Sequence, residues 1–209
     1  MPLPRTGIVA IGNTTEGMAS AVIPLAERFF DFEPNAVRVH VGDGRFFLQT
    51  ATNRYDVVVL DAFLGESPPS HLMTRESFAS VRRCLKPDGL LVMNTFGDFD
   101  GGRDFLLASI EQTLGSVFPS TRIHAASNGN VFFVASPKAG LEVLRTPDFA
   151  LLPPDLRRQA EQTFATIRVT NPAHGIILTD NFNPADYRDA VNREDLRRRL
   201  AMGYQPDPS

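Results

Sequence analysis

Three stretches of this sequence predict an α/β fold built on a mainly parallel sheet. The first, VRVHVGDGRFFLQTATNRYDVVVLD at 37–61, reads as strand, helix, strand, with the apolar runs Val37–Val41 and Tyr55–Leu60 flanking an amphipathic segment. A crossover of that length makes the two strands parallel and places Asp43 and Asp61 on the carboxyl-end rim of one sheet. That rim is where open α/β sheets hold ligands. In the second stretch, Lys86, Pro87, Asp88 and Gly89 form a turn and Leu90–Asn94 a third buried strand. In the third, the β-rich runs Thr121–Ser127 and Val131–Ser136 flank Asn128, Gly129 and Asn130, a hairpin signal that adds an antiparallel pair to the sheet.

The remaining elements follow from periodicity. Gly7–Gly12 reads as a buried strand before the turn residues Asn13–Thr15. Ala19–Phe30 carries Val22, Leu25, Ala26, Phe29 and Phe30 at helical spacing and closes at Asp31 and Pro34. After Asp61 comes a Gly- and Pro-containing loop at the rim, too long for a plain connection, and loops of that kind are often functional. Arg75–Leu85 and Asp104–Leu114 are amphipathic helices, the second ending near Gly115. The tail adds helices over Pro154–Ile167 and Pro184–Leu200 around the polar loop Thr170–Asn183, and Arg197–Arg199 suits the negative end of a helix dipole. Residues 1–140 are thus expected to form an incomplete Rossmann-like domain, and residues 141–209 a helical extension packed on it.

With 209 residues, 43% hydrophobic, 22% charged and a net charge of -3, the chain has the composition of an ordinary globular domain and no basic surplus that would point to nucleic acid. No apolar run approaches the roughly 18 residues of a membrane span, and the short run Ile8–Ile11 is poor material for a secretory signal. A cytoplasmic protein is expected. The single cysteine, Cys84, lies in a helical pattern as a buried thiol. His40, His71, His124 and His174 show no metal-ligand spacing, so no metal is expected.

The order strand, GDG turn, helix, strand, Asp, long loop, helix, KPDG, strand, helix, hairpin resembles the class I S-adenosylmethionine-dependent methyltransferase fold. Within that fold, VRVHVGDGRFFL, YDVVVLDAF, HLMTRESFASVRRCLKPDGLLVMN, the hairpin and ILTDNFNPAD resemble the spermidine synthase (polyamine aminopropyltransferase) family. The resemblance covers about residues 16–136 and 176–186. It implies S-adenosylmethionine or its decarboxylated form as ligand, and transfer of an aminopropyl or methyl group to a small amine or other small molecule, with a polyamine as the family's acceptor and a homodimer as a possible assembly.

The resemblance also assigns residues. Asp43 takes the place of the acid that accepts a hydrogen bond from the adenine amino group, with Gly44 allowing close backbone approach; the plain alternative makes Asp43 the N-cap of the following helix. Glu16 falls where an acid holds the ribose hydroxyls, although Gly17, Met18 and Ala19 depart from the pattern that should follow. Asp61 and Ala62 open the signature loop, Asp61 as the catalytic acid beside the transferred group and Ala62 against the cofactor. Authentic aminopropyltransferases carry a second acid three residues on, where this chain has Leu64; Glu66 is the nearest substitute. A neutral amine must attack the carbon beside a sulfonium, and paired carboxylates serve to take up its proton and hold the cationic chain. Asp61-Ala62-Phe63 with His71-Leu72-Met73-Thr74 resembles the divergent, spermidine-synthase-like branch instead. His71 is a substrate-side acid or base, or a structural loop residue. Asp180 is an acid at the mouth of the site, or an Asx turn before Pro184.

One part of the pattern is not seen. The family's glycine-rich turn after its first strand is matched only by IVAIGNTTEG. Either Gly12–Gly17 is that turn, shortened, and the helix and strand after it are lost, or Glu16 is the ribose acid and the first strand lies upstream of Met1. Both readings leave the first βα unit incomplete, and the family's N-terminal hairpin domain has no counterpart. A non-catalytic remnant, or a subunit completed by a partner at an open sheet edge, is the alternative to a transferase.

Overall fold

The computed structural model describes residues 7–12, 16–33, 38–52, 54–63, 69–100, 102–125 and 129–188, with isolated helical residues at 190, 194 and 198. Among the described residues, six strands form one sheet in the order β1-β2-β3-β5-β4-β6. These are β1 (Ile8–Gly12), β2 (Tyr55–Asp61), β3 (Leu85–Phe96), β4 (Ser120–Ala125), β5 (Asn130–Ser136) and β6 (Ile167–Arg168). β1, β2 and β3 run parallel, while β3 with β5, β5 with β4 and β4 with β6 are antiparallel. The sheet is therefore mixed, with a parallel half that carries the rim and an antiparallel half built by the hairpin.

One expected strand differs. Residues 38–41 are exposed and unpaired in the sheet, and Ile8–Gly12 occupies the place beside β2, with Gly12 opposite Asp61. A strand exists only through a neighbour's ladder, and β2 already has β1 on one side and β3 on the other.

The longer helices among the described residues are α1 (Glu16–Phe29), α2 (Gly44–Thr50), α3 (Arg75–Cys84), α4 (Phe105–Gly115) and α5 (Pro154–Ala165). Residues 185–188 are helical, and most of the helix expected over Pro184–Leu200 falls outside the described residues, as does the arginine run apart from Arg198. α3 is capped by Thr74, whose hydroxyl accepts the Ser77 amide at 3.2 Å, and it turns Phe78, Val81 and Cys84 into the core. α4 adds Leu106, Leu107, Ile110 and Leu114. Against them lie Val58 and Leu60 of β2, Leu91 and Met93 of β3, and Val131 and Phe133 of β5. Burying an aromatic of the size of Phe78 contributes about 1.5–3 kcal/mol. The Cys84 thiol is buried, donates to Leu48 O at 3.3 Å, and its pKa is pushed up by burial.

The turn at Lys86–Gly89 is a bulge: β3 pairs Leu85 with Tyr55 but Leu90 with Val57, so the four residues loop out of the ladder. Gly89 is needed there, because a Cβ would sit 3.0 Å from Tyr55 O and 3.2 Å from Asp56 O.

The tail does more than add helices. Residues 170–183 run across α4 and the start of α3 as a strap, pinned where Ile176 N donates to Ser109 Oγ (3.1 Å), Leu178 N to Thr113 Oγ1 (2.9 Å) and Arg75 N to Leu178 O (2.8 Å). Among the described residues no helix is long and apolar enough to cross a membrane.

Candidate functional site

Parallel strands end on the same side, so the carboxyl ends of β1, β2 and β3 and the amino ends of α2 and α3 share one rim. Asp61, the last residue of β2, is exposed there, and Asn94 on the neighbouring β3 donates to its Oδ1 at 3.1 Å. The same Asn94 has a buried Oδ1 with no partner in the structure. One amide thus fixes the carboxylate while leaving Asp61 Oδ2 free of that bond.

Asp43 follows Gly42, whose φ of +156° is open to glycine and has nothing within 4 Å of a notional Cβ. It N-caps α2 through Oδ1, which accepts the Phe46 amide at 2.7 Å. Its other oxygen is 3.6 Å from His71 Nε2, and the side chain is 56% exposed. The capping and ligand readings are therefore compatible, since they use different oxygens. Gly44 has a nearer cause than a ligand: a Cβ would meet Ile11 Cγ2 at 2.4 Å, so glycine lets α2 approach β1.

His71 lies in a single 3-10 turn, Ser70–Leu72, at the same rim. Its carbonyl accepts from Arg45 Nη1 at 2.9 Å. Arg45 also forms an ion pair with Asp180 Oδ2, and Thr74 Oγ1 donates to Asp180 Oδ1 at 2.7 Å. Arg45 beside it, with the Thr74 bond, holds the Asp180 carboxyl below the usual carboxylate range. Asp180 thus has both carboxylate oxygens engaged within the protein.

Ala62 is only 3% exposed and packs in the core, so it presents almost no surface to a ligand; the structure gives it a packing role. Glu16 is the first residue of α1, and its side chain, with the whole of Leu64 and Glu66, lies outside the described residues. Among the described residues no group of three or more His, Cys, Asp or Glu is arranged to hold a metal ion. Three residues were not singled out from sequence: Arg45, Thr74 and Asn94. Arg45 had a signal, a cation in the first turn of a helix, where the dipole disfavours it unless an anion answers it; Asn94 had none, because its partner is 33 residues away.

The arrangement is a Rossmann-like α/β fold of the kind shared by methyltransferases and spermidine synthases. Human methyltransferase-like protein 13, solved in complex with SAH, superposes with a TM-score of 0.54 at 17% identity over 80% of this chain and 86% of that one. A spermidine synthase from Thermotoga maritima superposes at 0.51 and 19% identity over 89% and 60%.

Sequence narrows this to one family. The spermine/spermidine synthase domain model matches residues 20–128, and the chain belongs to that family. A polyamine aminopropyltransferase of Vibrio vulnificus is 46% identical over 79 residues, 36% of this chain and 26% of that protein. A probable polyamine aminopropyl transferase of Bifidobacterium longum is 30% identical over 125 residues, 58% of this chain and 28% of that protein. The chain thus spans little more than a quarter of the length of these relatives.

Proposed function

We propose that this chain forms the nucleoside side of a transferase that takes S-adenosylmethionine or its decarboxylated form and passes an aminopropyl or methyl group to a small-molecule acceptor, a polyamine or similar amine. The observation that carries the reading is the pair of exposed carboxylates on one rim, Asp61 steadied by Asn94 and Asp43 with one oxygen left by its cap. Family membership and relatives named as polyamine aminopropyltransferases support it.

The residues present fit a nucleoside in two respects. Asp43 retains an accessible acceptor oxygen for an exocyclic amino group, and Gly42 leaves open space beside it. The bound sulfonium supplies the electrophilic carbon. Asp61 attracts the cationic acceptor and accepts a hydrogen bond from its attacking nitrogen, orienting the lone pair. Asp61 or water would take up the proton that the nitrogen loses as it displaces the sulfur leaving group.

Thermal unfolding with S-adenosylmethionine, decarboxylated S-adenosylmethionine and methylthioadenosine tests this. A ligand at a hundred times its Kd stabilises by about 2.7 kcal/mol, which for a chain of this size raises Tm by roughly 5–10 °C. No shift with any of the three would sink the reading. Asp43→Ser keeps an N-cap acceptor and removes the carboxylate, so it should abolish the shift while leaving the unliganded Tm nearly unchanged; a full shift in that variant would refute the adenine assignment.

A further inference from the structure

We infer that Arg45 is a positioning residue for the nucleoside side of the site, and that Asp180 is its anchor rather than a group that meets the acceptor. The inference rests on the nucleoside reading above and adds to it which of the rim's charges are available to substrate.

Arg45 lies in the first turn of α2, where the exposed amide dipoles repel a cation. Its side chain is nevertheless only 17% exposed, because it is drawn across the rim by two acceptors, the His71 carbonyl and the Asp180 carboxylate. A guanidinium holds both at once because its N–H groups form a planar fork, which an ammonium lacks. Asp180 is held from three sides: Arg45 on Oδ2, Thr74 Oγ1 on Oδ1, and its own amide donating to Glu76 Oε2 at 3.1 Å. Asn183 Nδ2 donates to Ser70 O at 2.8 Å and ties the same strap to the His71 turn.

Two consequences follow. A carboxylate with a guanidinium on one oxygen and a hydroxyl on the other has its charge answered within the protein, and little field remains to select an ammonium group. Meanwhile the arginine two positions after Asp43 in the chain holds the backbone of His71, whose ring faces Asp43 at 3.6 Å. Arg45 thereby sets the width of the opening over the Asp43 oxygen that the α2 cap leaves free.

The test measures methylthioadenosine binding by titration calorimetry, and putrescine binding with methylthioadenosine saturating, in wild type, Arg45→Gln, Arg45→Lys, Asp180→Asn and the Arg45→Gln/Asp180→Asn pair. The expected result is on the order of tenfold weaker methylthioadenosine binding in Arg45→Gln and Asp180→Asn. The pair should be no weaker than its weaker single, since the two residues act as one unit. Arg45→Lys, which keeps the charge and loses the fork, should fall between, and putrescine affinity should move less than nucleoside affinity throughout. A residue that only stabilised the fold would lower the unfolding midpoint without separating the two affinities. Asp180→Asn keeps the shape of the side chain and an acceptor for Thr74, so it and Arg45→Lys carry the test if Arg45→Gln does not fold. Unchanged methylthioadenosine binding in the folded variants, or a loss confined to putrescine in Asp180→Asn, overturns the inference alone. A wild-type chain that binds no methylthioadenosine overturns the nucleoside reading and this inference with it.

Discussion

Asp43 gives one oxygen to the Phe46 amide and keeps the other toward His71 and solvent, so capping the helix does not use up its carboxylate. Asp56 shows the opposite outcome. It sits at the start of β2, where both oxygens take Lys86 Nζ at 2.9 and 2.8 Å and Oδ2 also accepts the Gly7 amide at 2.7 Å. The Lys86 bond, then the Gly7 bond, lower its pKa below the ordinary carboxylate value. A folded-state pKa below the unfolded one contributes stability that is present above about pH 4 and is lost as pH falls through the depressed native value. Asp56→Asn should therefore be less stable than wild type at pH 7, and the gap should close as pH falls below about 4. Unfolding midpoints from pH 7 to 2.5 check this; a gap that stays constant would show that the charge is not its origin.

Among the elements, the strap at 170–183 most changes how the sequence reads. It is the polar loop that the sequence predicts, and the structure makes that loop a structural member that fixes the start of α3 and brings Asp180 to Arg45. Gly175 makes this possible, since a Cβ there would meet the α4 backbone at 2.4 Å from Ala108 C and 2.6 Å from Ser109 N. No side-chain rotation relieves a clash with backbone. Gly175→Ala should lower stability by about 1–3 kcal/mol in denaturant unfolding and, by lifting the strap, weaken methylthioadenosine binding as well. A neutral effect on both would mean that the strap does not bear on the site. Helices α3, α4 and α5 were legible from periodicity to within a residue or two, because each shows an amphipathic pattern or a terminal signal in its own residues. The strap was not, because what orders it is a set of single hydrogen bonds to groups about 60 to 105 positions away.

For the whole molecule, burial is graded across the sheet. From Leu91 onward β3, and most of β5, alternate buried and partly buried residues, whereas β1 at the edge has Ile8 61% exposed and only Ile11 in the core. Local opening tracks such differences in buried apolar contact. In native-state hydrogen exchange, the β1 amides bonded to β2 should exchange well before those shared by β3 and β5. Equal protection would show that β1 is held by more than its ladder with β2.

Taken by itself, the sequence determined the α/β class, helices α3, α4 and α5 and the hairpin, because periodicity and turn residues act over a few neighbouring positions. The motif resemblance carried the family. Tertiary structure decided which apolar run sits beside β2, since Ile8–Gly12 and residues 38–41 are both strand-like and only one can take that edge. It also decided the partners of the charges, setting Asn94 on Asp61 and Arg45 on Asp180. Those pairings depend on distances closed by the fold, to which no local pattern in the chain corresponds.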